Sequence, residues 1–217
     1  MPRWRDDAPQ PGKSITATGA TLGGAVLPLY DALHQQPRLR HVLVRHEQAA
    51  VHAAQGYARS TGKLGVVFVT SGPGMSNTTT GLLDALCDSV PVLCISGQVA
   101  TSLIGTDAFQ ECDAIGISRP VTKWNAQLRE SDSVQAVVRK AFAVALGGRP
   151  GPVLLDFPKD LQLRCVEPAA AGAEQPVQPD RASPHKPIPR ASIHAAARAI
   201  RQARRPVPDD PGGLRAS

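Results

Sequence analysis

The chain has 217 residues, 42% of them hydrophobic, and a formal net charge of +6. That length suits one domain with extensions or two small ones, and the apolar fraction supports a real core. Mixed charge through the middle, without basic and aromatic residues interleaved, speaks against nucleic acid, and no apolar run approaches the ~18 residues of a membrane span.

Residues 1–19 have no apolar periodicity and are expected to be disordered. They include Asp6 and Asp7 and lack an apolar signal core, so a cytoplasmic protein is expected. Val26, Leu29, Tyr30 and Leu33 recur at helical spacing, with Pro28 acceptable only near the start of that helix. The apolar run Val42–Val44 stops at Arg45-His46-Glu47, and an Ala-rich helix is expected from Glu47 to Ser60, closed by Gly62. Leu64–Thr70 is a continuous apolar run, which suits a parallel strand covered on both faces. It leads into the turn Ser71-Gly72-Pro73-Gly74 and a helix from about Met75 to Cys87, for which Ser76, Asn77 and Thr78 are capping candidates.

Pro91–Ser96 is a third strand, followed by a loop over 97–120. Val121–Trp124 is a short strand candidate, Ser133–Leu146 a helix stopped by Gly147-Gly148, and Pro152–Phe157 the last strong strand. The alternation gives an α/β fold, a parallel sheet with helices on both faces. Residues 20–165 form the main domain in this reading; 166–190 are a Pro- and Ala-rich linker, and 191–217 open with one more helix, Ser192–Arg204.

The pattern alone offers few chemical sites. Cys87, Cys94, Cys112 and Cys165 show no CxxC spacing and are expected to be buried, reduced thiols rather than a disulfide frame or a zinc site. His46 and His52 do not share a helix face as metal ligands, and no metal site is expected. The Ser71–Gly74 turn is neither a P-loop nor GxGxxG. Glu47 stands where a strand passes into a helix, at the carboxyl end of the sheet where ligands gather. Two readings stay open for it: a Glu favouring a helix N-terminus by a few tenths of a kcal/mol, or a group that does chemistry.

The strings VLVRHEQAAVHAAQGYARSTG, VTSGPGMSN, ISGQV, LIGTDAFQE and GRPGPVLLDFPKD, between Gly23 and Leu161, resemble the large catalytic subunit of acetolactate synthase, a thiamine-diphosphate-dependent family. The resemblance implies the thiamine-diphosphate-binding fold, with residues 20–165 as its pyrimidine domain. It implies that Glu47 hydrogen-bonds the cofactor's aminopyrimidine ring and so promotes loss of the thiazolium C2 proton. Gly24, Ala25 and Asn77 would line the cofactor region. Phe109 and Gln110 would belong to an active-site loop that reaches the reacting carbon from a partner subunit, Lys159 would line the substrate channel, and Arg149 would contact FAD. The implied activity is decarboxylation of pyruvate and condensation with a second 2-keto acid in branched-chain amino acid biosynthesis, by a homodimer with a possible small regulatory subunit.

The sequence departs from the family in four places. Ala20-Thr21-Leu22-Gly23-Gly24 replaces a Gly-Tyr-Pro-Gly-Gly turn, so the first strand and helix of the sheet are expected to be missing, with a sheet edge left open. Ala100 stands where the family usually has Pro. Residues 191–217 read as a truncated start of the central domain. No GDG followed by NN, the family's Mg²⁺ and diphosphate signature, occurs, so the chain alone is expected to be inactive. The alternative reading is a non-catalytic pyrimidine-domain module that dimerises with, or regulates, an intact synthase subunit.

Overall fold

The structure, a computed structural model, describes the backbone of residues 16–20 and then residues 23–37, 39–164 and 188–205 in full. Six strands form one sheet: β1 (Thr16–Ala20), β2 (Arg40–Val44), β3 (Gly65–Val69), β4 (Val92–Gln98), β5 (Trp124–Gln127) and β6 (Val153–Pro158). Their spatial order is β2-β1-β3-β4-β6-β5, and every pairing is parallel. The expected parallel α/β architecture is therefore present.

Two expectations about the N-terminal part are corrected. Thr16–Ala20 is not disordered but a strand, and it is internal, pairing with β2 through Thr16↔Arg40 and with β3 through Ala17↔Val66. The first strand is thus in place, and the edges of the sheet are β2 and β5. Composition hid it: TATGA carries no apolar alternation, and its strand character comes from neighbours on both sides.

Among the described residues, eight helices connect or follow the strands: α1 (Leu27–His34), α2 (Glu47–Thr61), α3 (Pro73–Ser76), α4 (Thr79–Cys87), α5 (Ala114–Ser118), α6 (Val134–Leu146), α7 (Lys159–Gln162) and α8 (Arg190–Gln202). One face of the sheet is covered by α2, α4 and α5 through a core of Val51, Ala54, Val67, Val69, Leu82 and Cys94. The other is covered by α1, α6 and α7 through Val66, Phe68, Leu93, Ala141, Leu155 and Leu161. β3 is buried at all five positions, as its unbroken apolar sequence requires.

Helix α2 shows how sequence sets this packing. Ala50, Val51, Ala54 and Ala58 are buried on one face. His46 caps the start, its Nδ1 accepting from the Gln48 amide at 3.1 Å. Gly62 ends it in the left-handed region at φ 69°, a conformation that costs a glycine nothing. Small residues let α2 lie close to its neighbours. A Cβ at Gly65 would fall 2.3 Å from the Ala54 carbonyl oxygen, and one at Gly81 would fall 2.7 Å from Val51.

Other boundaries moved for identifiable reasons. The helix expected from Met75 to Cys87 is broken at Asn77-Thr78 into α3 and α4. Thr78 does not cap; its hydroxyl donates to the Met75 carbonyl at 2.6 Å. The strand expected at Val121–Trp124 lies at Trp124–Gln127, because a 3₁₀ turn occupies Arg119–Val121. The loop expected over 97–120 contains the end of β4, a 3₁₀ turn at Thr101–Leu103 and α5. Cys94 is buried as expected, but Cys87 is exposed, on the solvent side of the end of α4; Cys165 lies outside the described residues.

Residues up to Asp180 form one compact unit and those from Arg181 a second. The described part of the second is α8, whose Ile193 and Ile200 are exposed. The linker expected over 166–190 lies almost wholly outside the described residues, as does the chain after Arg205. Among the described residues, no helix is long and apolar enough to cross a membrane.

The approach of α2 to β3 leads to a test. Gly65→Ala is expected to destabilise the chain by about 1–3 kcal/mol, because the added methyl meets backbone rather than a movable side chain. Urea unfolding of the two proteins, compared at equal m-value, measures it.

Candidate active site at the switch point of the sheet

β1 lies between β2 and β3, so the connections that leave it diverge, and a crevice opens at the carboxyl ends of these strands. Three segments meet there: the turn from Gly23 to Val26, the junction His46-Glu47, and the stretch Thr70 to Asn77. Glycines allow the meeting. A Cβ at Gly23 would fall 2.1 Å from Thr70 Oγ1, one at Gly74 would fall 2.6 Å from Thr70 Cγ2, and one at Gly97 would fall 2.5 Å from the Ala25 carbonyl oxygen. Gly72 has φ +56° and approaches the carbonyl of Gln110 so closely that a Cβ would sit 2.6 Å from its oxygen.

Within this crevice Glu47 is 5% exposed. It is the first residue of α2, where the amide dipoles favour a negative charge. Asn77 donates from Nδ2 to Glu47 Oε2 at 3.0 Å. The bond falls at the break between α3 and α4, where the Asn77 side chain, expected to cap a helix, is turned onto the carboxylate. A carboxylate held in a fixed, nearly dry position can accept one directed hydrogen bond from a ligand. Thr70 Oγ1 is buried with no hydrogen-bond partner among the described residues, although buried hydroxyls are normally paired.

The remaining candidates separate by place. Gly24 has open space over its α-carbon, and the Ala25 carbonyl accepts from Gln162 Nε2 at 2.8 Å; both belong to the crevice turn. Gln110 reaches it through its backbone, at φ 59°. Phe109 beside it is 87% exposed. Lys159 opens α7 at the carboxyl end of β6, on the same side of the sheet. Arg149 is not brought to this site. It precedes β6 at the amino ends of the strands, where Nε donates to Ser89 Oγ at 2.7 Å and Nη2 to the Cys87 carbonyl at 2.9 Å, so it closes the end of α4.

Residues that pattern reading passed over hold the Phe109–Gln110 loop. Both carboxylate oxygens of Glu111 accept backbone amides: Gly105 on one, Thr106 at 3.2 Å and Ala108 at 3.3 Å on the other. The Gly105 amide first, with the neighbouring amides, holds its carboxyl below the usual carboxylate range. Thr101 and Asp160 tie the start of the loop to α7, the Thr101 amide donating to Asp160 Oδ1 at 3.0 Å. Only the string IGTDAFQE hinted that Glu111 had a task. Among the described residues, no group of three or more His, Cys, Asp and Glu is placed to hold a metal ion. A cleft of about 840 Å³ runs from this loop, at Gly105, Glu111 and Cys112, along β5 to Trp124, Gln127 and Lys140.

The Glu111 contacts give a pH dependence. A carboxyl with a depressed folded-state pKa orders the loop fully above its ordinary value and loses that contribution as pH falls through the depressed one. In an NMR titration Glu111 should therefore titrate below the usual carboxylate range, and Glu111→Gln should abolish the acid-induced shifts of the Gly105, Thr106 and Ala108 amides.

Comparison with known proteins places the sequence beside one group of enzymes. Residues 17–117 match the family model of the thiamine pyrophosphate enzyme N-terminal TPP binding domain. The chain is 60% identical over 139 residues to the acetolactate synthase isozyme 3 large subunit of Escherichia coli K12, covering 64% of this chain and 24% of that protein. It is 59% identical over 138 residues to the acetolactate synthase large subunit of Haemophilus influenzae, covering 64% and 24%, and 50% identical over 193 residues to an acetolactate synthase of Mycobacterium bovis, covering 88% and 31%. The chain thus spans about a quarter to a third of the length of these relatives. Residues 17–117 thus carry the match to a thiamine pyrophosphate enzyme N-terminal TPP-binding domain, and over 138 to 193 residues the chain is similar to acetolactate synthases.

Proposed function

We propose that this chain supplies the pyrimidine-binding side of a thiamine diphosphate site in an acetolactate synthase, which decarboxylates pyruvate and joins the remainder to a second 2-keto acid. The observation that carries the reading is the Glu47 carboxylate, 5% exposed and fixed by Asn77 at the switch point of the sheet. The residues present fit a flat, nitrogen-rich ring. Glu47 offers an oriented acceptor, Thr70 an unpartnered buried hydroxyl, and the close backbone approaches at Gly23, Gly72 and Gly74 leave a narrow crevice. When bound, thiamine diphosphate supplies the nucleophilic carbon and the electron sink.

The work of the chain itself is positional and electrostatic. Glu47 would hold a proton on a ring nitrogen of the bound cofactor, and its near-dry setting would strengthen that bond. Asn77 keeps the carboxylate from turning away. Gln110, Lys159 and the exposed Phe109 stand at the same end of the sheet, available to substrate or to a second subunit in a homodimer. Support for FAD is confined to the resemblance around Arg149, whose side chain caps α4 at the amino ends of the strands; a flavin reaching it would do so with a part remote from Glu47. Mg²⁺ is assigned to none of the described residues. A small regulatory subunit and a cytoplasmic location go with the synthase reading.

Glu47 and Thr70 would hold one end of the cofactor only, and micromolar binding needs roughly 8 kcal/mol. The 217-residue chain supplied with pyruvate, thiamine diphosphate, Mg²⁺ and FAD is therefore expected to form no acetolactate. The direct test is a chimera in which residues 23–161 replace the matching segment of the Escherichia coli isozyme 3 large subunit. It should form acetolactate, and its Glu47→Gln variant should lose about 100-fold or more in kcat. A folded but inactive chimera, or an active Glu47→Gln variant, would overturn the reading. A folded, inactive chimera that still pairs with an intact subunit would favour the non-catalytic module.

A further inference from the structure

A buried polar network lies away from Glu47, at the carboxyl ends of β4, β6 and β5. Ser96, Asp156 and Gln127 are direct neighbours in the parallel register, so their side chains share one face of the sheet, and Gln98 follows on that face. Asp156 is 0% exposed and Gln98 1%. Asp156 Oδ2 accepts from Gln127 Nε2 at 2.7 Å and from Gln98 Nε2 at 3.2 Å. The same Gln98 Nε2 donates to the Cys112 carbonyl at 3.0 Å, and Gln98 Oε1 accepts the Val99 amide at 2.9 Å. A single buried amide therefore grips both ends of the excursion from Val99 to Cys112.

We propose that Gln98 and Asp156 form a clamp that closes the base of the 99–112 loop, with Asp156 as the positioning residue that fixes the orientation of the Gln98 amide. Nothing in the proposed chemistry uses either side chain. A carboxylate only accepts, so it holds the Nε2 end of Gln98 toward itself, and Oε1 is left to face Val99. The opposite orientation would set a donor against the Val99 N–H and an acceptor against the Cys112 carbonyl, opening both ends together. Bonds to an ionised acceptor are also the stronger kind. Burial pushes the Asp156 carboxyl up to about 6, against the pull of Gln127 and Gln98, with Asp113 adding to the rise. At pH 7.5, above that value, both of its oxygens act as acceptors only.

The inference rests on the proposed function only for what the loop faces, because Phe109 and Gln110 ride on it; the clamp can be tested without cofactor. Amide exchange of the full chain at pH 7.5, read by NMR, compares wild type with Asp156→Asn and Gln98→Met. The amides to follow are those of Gly105, Thr106 and Ala108, which bond Glu111 and touch neither substituted residue. Both variants should exchange these amides about tenfold faster, while the amides of β3 and β4 keep their rates. Unchanged loop rates in a folded variant would overturn the clamp. So would a uniform acceleration across the sheet, which marks general destabilisation. If Asp156→Asn fails to fold, Gln98→Met alone decides, since it leaves the Asp156–Gln127 bond in place.

Discussion

The constraint on which the rest of the structure depends is the close approach of glycine backbone to neighbouring segments at the carboxyl ends of the central strands. Gly23, Gly72, Gly74 and Gly97 each sit where one added carbon would collide with Thr70, Gln110 or Ala25. The turn after β1, the turn after β3 and the base of the 99–112 loop can therefore lie within van der Waals contact of one another. Each polar group in the crevice inherits its position from that contact. Glu47 is buried because α2 starts under these turns, and Asn77 reaches it because α3 is cut short after one turn.

Polarity along the strands changes in a matching way. β3, β4 and β6 are apolar in their middles and turn polar toward their carboxyl ends, at Thr70, at Ser96 and Gln98, and at Asp156. Burying such groups is costly unless they are paired. The pairs that form are not decoration of a finished core. They fasten neighbouring parts to one another: Gln98 the 99–112 loop at Cys112, Gln127 β5 to β6 at Asp156, and Asn125 β5 to α5 at Ile115 and Ser118. At the opposite end of the sheet the fastenings are helix closures, Arg149 on α4 and Lys123 on the last carbonyls of α6. The two ends of the sheet are thus held by different means, and only one of them leaves an oriented carboxylate facing a crevice.

Much of this was legible in the sequence where a residue's role is local. The apolar run of β3, the Ala-rich face of α2, the glycine that ends it and the charged junction at Glu47 all follow from neighbours within a few positions. The motif strings carried the family, which the residue pattern alone did not. What stayed hidden depends on partners far along the chain. β1 is a strand because β2 and β3 flank it, not because TATGA prefers extension. Asn77 looked like a cap because its 30-residue reach to Glu47 has no local signature. Thr70, Gln98, Glu111 and Asp156 are ordinary residues in one dimension. A lone aspartate inside an apolar strand, Leu154-Leu155-Asp156-Phe157, was the clearest available sign that a buried polar network existed.

The all-parallel sheet also governs how the chain reaches this state. Parallel strands cannot be joined by a tight hairpin, so each pairing waits on a crossover. The bonds that fasten β4 to β6 join residues as far apart as Gln98 and Asp156, 58 positions, and Arg149 meets Ser89 across 60. Such closures cost chain entropy before they return any contact, and they slow folding. During that interval the fully apolar β3 and the carboxyl-end carboxylates have none of their final partners. The separation in sequence that makes the crevice so well fixed at the end makes the nascent chain vulnerable to association with other chains before it arrives.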